Sequence, residues 1–133
     1  MLTQLQTYHA ELLALIDALE GLTARPAPVL AEVAAVRMKL TRASRRRTMF
    51  LETTIYPLLL QRSAASDRAQ VSQLREAAKD RIAASTDHIG RWTLAALEDR
   101  WADYCAASRV MRAAMRDRIR EEQTVLYPLL SPA

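Results

Sequence analysis

Apolar residues recur along this chain at alternating steps of three and four. Leu2, Leu5, His9, Leu12, Ile16 and Leu19 predict a first helix whose apolar seam carries a histidine. Gly21, Pro26 and Pro28 in "GLTARPAP" then break the pattern. A second helix is expected from about Val29, with Val33, Val36, Leu40, Ala43, Arg47, Leu51 and Ile55 on one side. Pro57 lacks the N–H its last turn needs, so that turn should kink or loosen. "QRSAASDR" is the second break, with Ser66 expected as the cap of the next helix. The third helix carries Val71, Leu74, Ala78, Ser85, His88 and Trp92, and the fourth carries Met111, Met115, Arg118, Glu122, Val125 and Leu129. Between them "LEDRWADYCAAS" holds neither Gly nor Pro, and only Asp99 and Asp103 offer turn chemistry.

Composition agrees with long helices and few turns. With 133 residues the chain suits one domain, residues 1–133, and half the residues are apolar. Only two glycines and five prolines interrupt it. The reading is all-α: an antiparallel up-down-up-down four-helix bundle. No apolar run approaches the roughly 18 residues of a membrane span, and the first residues lack the basic start and cleavage site of a signal peptide. A single cysteine, Cys105, excludes an internal disulfide and suits a cytoplasmic location. The net charge of +4 is spread over the chain, apart from "RASRRR" at 42–47, which is expected to be a solvated face. Without interleaved aromatics it does not suggest a nucleic-acid site.

The chain also repeats itself. Aligning Pro57 with Pro128, an offset of 71, brings Arg45, Arg47, Thr53, Tyr56, Leu58 and Leu59 onto Arg116, Arg118, Thr124, Tyr127, Leu129 and Leu130. Two helical hairpins of common descent, each ending in Tyr-Pro-Leu-Leu, account for this match. If His9, Arg47, His88 and Arg118 share one level of an antiparallel bundle, the turns should fall near residues 28, 67–68 and 103. Four polar side chains are thus expected in one layer.

A histidine on helices one and three, with an acid and "YP" ending helices two and four, resembles the hemerythrin-like, HHE cation-binding family. That family places His-x-x-x-Glu on helices two and four, proline following ten residues after the histidine, and holds two irons that bind or sense oxygen. The resemblance implies that His9, His88 and Glu122 are retained ligands. It puts Arg47 and Arg118 where the family has histidines, and Leu51 where it has an acid. Three of six ligands are matched, so the metal site is degenerate. A guanidinium has no lone pair for a metal and repels one, so no di-iron centre is expected.

Three readings of the layer follow. In the first, Arg47 and Arg118 pair with Glu122, with Glu52 or Glu121 as further candidates, while His9 and His88 complete the hydrogen bonds. Alternatively His9, His88, Glu122 and Glu52 bind one metal, iron being the alternative cofactor to none; Glu52 stands one residue, about 100°, past the acid position. In the third, the arginines hold a small anion. Tyr56 and Tyr127 are expected to close the bundle end with hydroxyls toward water, and Trp101 and Tyr104 to cap the bundle or form an interface. Trp92, Met111 and Met115 read as core.

No nucleophile–base grouping, glycine-rich phosphate loop or cysteine cluster appears, so no catalysis is expected. The reading is a non-catalytic, regulatory or ligand-binding module whose partner is a protein or a small anion, neither membrane nor nucleic acid, with an oligomer open. The alternative is a working iron or oxygen binder.

Overall fold

The computed structural model describes residues 1–131, which are all-helical, with no strand among them. The elements are α1 (Leu2–Thr23), α2 (Leu30–Phe50), a π-helical turn (Leu51–Ile55), α3 (Tyr56–Arg62), α4 (Ala65–Arg91), a short α5 (Leu94–Asp99) and α6 (Trp101–Leu130). None of these helices is long and apolar enough to cross a membrane. α1 packs on α2 and on α6, α6 packs on α4, and α3 packs on α4.

The first seam behaves as its spacing predicts. Leu5, His9, Leu12, Ile16 and Leu19 are buried along α1, against Val33, Leu40, Ala43 and Arg47 of α2. Pro57 explains the π turn. Tyr56 N–H reaches back five residues to the Leu51 carbonyl, widening the helix just before a residue that has no N–H to give. Pro128 sits inside α6 without breaking it.

Four local expectations change. Ser66 is not a cap: α4 starts from Ala64, whose extended backbone makes the entry. The third connection is not centred on residue 103. α4 stops at Arg91, Trp92 leaves helical geometry, and Thr93 caps α5 by accepting from the Ala96 N–H at 3.2 Å. Burial of Trp92 and Leu97 ties this connection down without glycine or proline. On the last helix the buried side runs through Tyr104, Ser108, Arg112, Ile119, Glu122 and Leu126, whereas Met111, Val125 and Leu129 are half-exposed. Tyr104 is fully buried, packed between Trp92 and Trp101, each at 5.6 Å, and belongs to the core rather than to a cap.

The core falls into two parts. One gathers Leu12, Ile16, Leu19, Leu40, Tyr104 and Ile119; the other gathers Leu5, Leu51, Ile55, Leu59, Val71 and Leu126. On α1, α2 and α6 the residues between those sets are polar: His9, Arg47, Arg118 and Glu122. A charged layer therefore divides the apolar interior.

Candidate functional site

Glu122 is the hub of that layer. It is 1% exposed, yet its carboxylate is met from three sides. His9 Nε2 lies 2.8 Å from Oε1, Arg118 Nε donates to Oε2 at 3.0 Å, and Arg47 Nε stands 3.7 Å from Oε1. Arg118 and Glu122 are one helical turn apart on α6, the spacing that puts two side chains on one face. His9 spans the layer: with its proton on Nε2 it donates to Glu122, and its Nδ1 accepts from the Tyr127 hydroxyl at 2.6 Å. Burial alone would raise the Glu122 carboxyl. The His9 hydrogen bond and the charges of Arg47 and Arg118 outweigh it and hold the group below its ordinary range.

Arg47 is served less well. It is 1% exposed, and burial pushes its guanidinium down to about 10 against the pull of Glu122. It remains charged at neutral pH. Its Nε and Nη1 have no hydrogen-bond partner in the protein, and Nη2 reaches the Ser44 hydroxyl only at 3.5 Å. The buried Tyr56 hydroxyl is likewise unpartnered, and burial raises it to about 12. Both tyrosines of the repeated ending thus turn their hydroxyls away from water, contrary to expectation. The layer exists because an arginine long enough to cross a helix interface finds a carboxylate there.

Three residues named from the sequence lie elsewhere. Glu52, rotated past the acid position, faces α4 and takes a forked contact from Arg75 at 2.7 and 3.1 Å. Glu121 is held by Arg81 at 2.8 Å. That pair marks the level of the layer on α4, and His88 lies seven residues further along, about 10 Å by helical rise. The displaced third connection is the cause, because it moves the register of α4 against α6. The set His9, His88, Glu122 and Glu52 is therefore not assembled, since only His9 and Glu122 touch. Among the described residues no three His, Cys, Asp or Glu side chains converge as metal ligands would. Leu51 occupies the layer's edge as a fully buried apolar side chain, one turn after Arg47.

The basic run 42–47 is divided in the same way. Arg42, Arg45 and Arg46 are exposed, Arg46 pairing with Glu11, while Arg47 turns inward.

Beside the layer opens a feature that periodicity did not reveal: a cleft of about 500 Å³ between α2, α4 and α6. Arg118 forms part of its wall, as do Arg37, His88, Tyr104 and Arg112. The cleft exists because the C-terminal half of α4 buries no side chain; Ile82 and Ile89 remain exposed along it. The sequence signal was present in the polar make-up of "DRIAASTDHIGR", which offers too few apolar residues to close against α2.

Compared with family models, curated proteins and solved structures, the chain matches none.

Proposed function

We propose that this chain is a hemerythrin-like, up-down-up-down four-helix bundle in which an Arg/Glu/His layer stands where relatives would hold two irons. It serves as a non-catalytic module that binds a small ligand or a protein partner. The observation that carries this reading is Glu122: both of its oxygens are engaged by His9 and Arg118, with Arg47 close by. A metal would have to displace those contacts and accept two guanidinium groups beside it. The repeated Tyr-Pro-Leu-Leu endings, the His9 position and the layer-splitting of the core support the kinship.

Metal loading tests it. After anaerobic incubation with ferrous iron or zinc and desalting, the protein should retain less than about a tenth of an equivalent, since coordination needs several matched donors. Stoichiometric retention in the unaltered protein overturns the reading. The combined substitution Arg47→His, Leu51→Glu and Arg118→His, checked for helicity by circular dichroism, should bring metal retention. A folded triple variant that takes up no metal counts against the family resemblance.

A further inference from the structure

The end of the cleft nearest the third connection carries positive charge that the protein leaves unneutralised. Arg112 is 5% exposed. One of its N–H groups donates to the Ser108 hydroxyl at 2.6 Å, and its Nε has no partner. Among the described residues no carboxylate stands within ion-pair distance of Arg112 or of Arg37. Glu20 attracts Arg112 from further off but is itself held by Arg116 at 3.3 Å. Arg37 lies over the Tyr104 ring at 5.6 Å, and His88 stacks on that ring at 6.0 Å. The Tyr104 hydroxyl, buried at the same place, also lacks a partner. Elsewhere the chain does pair its buried cations: Arg118, in the layer, has Glu122. A nine-tenths-buried arginine without an acid is suited to receive an anion.

Most of the remaining wall is apolar, although Ser and Thr side chains and the charged Arg45, Glu52 and Arg118 also border the cleft. Leu40 and Met49 from α2, Ile82 and Ile89 from α4, and Met111 and Met115 from α6 line it. Its volume suits a small molecule and is far too small for a polynucleotide strand. Methionine and isoleucine side chains adapt to an unbranched hydrocarbon chain. The cationic end repels metal ions and amines.

We propose that this cleft binds an amphipathic carboxylate. Its head sits at Arg112, Arg37 and Tyr104, and its hydrocarbon chain runs between α2, α4 and α6. A carboxylate accepts from Arg112 and Tyr104 together, satisfying both unmatched donors in one step. The chain covers Ile82 and Ile89, which water now wets. This deepens the ligand-binding reading above and rests on it.

Dodecanoate is the probe, with 1-dodecanol and acetate as matched controls for the chain and the head. Both tryptophans touch the Tyr104 ring, so their fluorescence reports occupancy, and calorimetry gives the stoichiometry. Dodecanoate should bind one to one, about tenfold or more tighter than dodecanol, because a charge-assisted hydrogen bond distinguishes them. Acetate should bind weakly or not at all. Arg112→Met should erase the preference for the acid over the alcohol. Arg37→Gln, at a half-exposed position where folding is not at risk, should reduce it several-fold. Met111→Glu, which places a carboxylate beside the chain, should abolish binding.

Equal affinity for dodecanol and dodecanoate overturns the proposal, as does a preference that survives Arg37→Gln, or an absence of saturable binding in protein of full helicity. Each of those results leaves the metal-free layer standing, because metal retention reads Glu122 and its neighbours separately. Iron uptake by the unaltered protein sinks the layer reading whatever dodecanoate does.

Discussion

At residue 118 an arginine is followed, one helical turn later, by the glutamate it needs, and the pair closes at 3.0 Å within α6. At residue 47 an arginine in the matching place is followed by Leu51, so its own helix gives it no acid, only the Ser44 hydroxyl at 3.5 Å. It leans across to borrow Glu122 at 3.7 Å and keeps two N–H groups unmatched. The tyrosines differ in the same sense: the Tyr127 hydroxyl is hydrogen-bonded to His9, whereas Tyr56 is buried with no partner. The backbones differ too, since a π turn precedes Pro57 and none precedes Pro128. One acidic residue therefore decides which of the two matching endings is internally balanced, and matching backbone positions carry unequal electrostatics.

The largest expected effect comes from removing the shared acid. Glu122→Ala strands Arg47, Arg118 and His9 in a layer that water does not reach. It should cost about 3–5 kcal/mol, the usual result of breaking a buried ion pair from one side. Urea denaturation at pH 7 measures it, and a loss below about 1 kcal/mol would mean that the layer opens to solvent. The pH dependence has a definite sign. The folded Glu122 carboxyl titrates below its ordinary value, so its contribution is complete above the unfolded pKa of about 4.3. It is lost as pH falls through the lower folded value. The stabilities of the unaltered protein and of Glu122→Gln should therefore converge in acid, below about pH 4.

How much of this was legible beforehand depends on whether the relevant physics was local. The seam of α1 and the helical stripe of α2 follow from spacing, and that spacing already placed His9 and Arg47 facing inward. Arg118 was named from the aligned endings and Glu122 from the family resemblance, and they meet His9 and Arg47 in the fold. His88 was misplaced because its level depended on the third connection, where Trp92 and Leu97 act through burial rather than through turn residues. Glu52 and Glu121 went to Arg75 and Arg81, half-exposed partners that no period identifies. The cleft was missed because it arises from what α4 lacks, and a pattern of apolar positions reports only what is present.

The two arginines separate next. Arg118→Ala should cost on the order of 3 kcal/mol, because Glu122 then keeps only His9 and a distant Arg47. Arg47→Met should cost less than about 1 kcal/mol, and a gain is compatible with the argument. It removes a desolvated charge with two unmatched donors and keeps the volume apolar between Ala43 and Leu51. Matched denaturation curves decide it. Equal losses would show that Arg47 is bound to Glu122 as firmly as Arg118 is, which would remove the asymmetry between the halves.

The smallest and sharpest contrast is between the two tyrosines. Tyr127→Phe deletes the hydroxyl that meets His9 Nδ1 at 2.6 Å and leaves that nitrogen without a partner, which should cost about 1 kcal/mol. It should also raise the His9 ring's preference for solvent, seen as faster exchange of its Nε2 proton by NMR. Tyr56→Phe deletes a hydroxyl that meets nothing, so folding no longer has to desolvate it. Stability should stay level or rise by up to about 1 kcal/mol, since one hydroxyl buried without a bond costs about that much. The same one-atom change should then carry opposite signs at positions 56 and 127. If Tyr56→Phe instead destabilises the protein as much as Tyr127→Phe, the Tyr56 hydroxyl has found a donor or acceptor, and Arg47, whose Nε and Nη1 are unpartnered, is where to look for a water or anion between them.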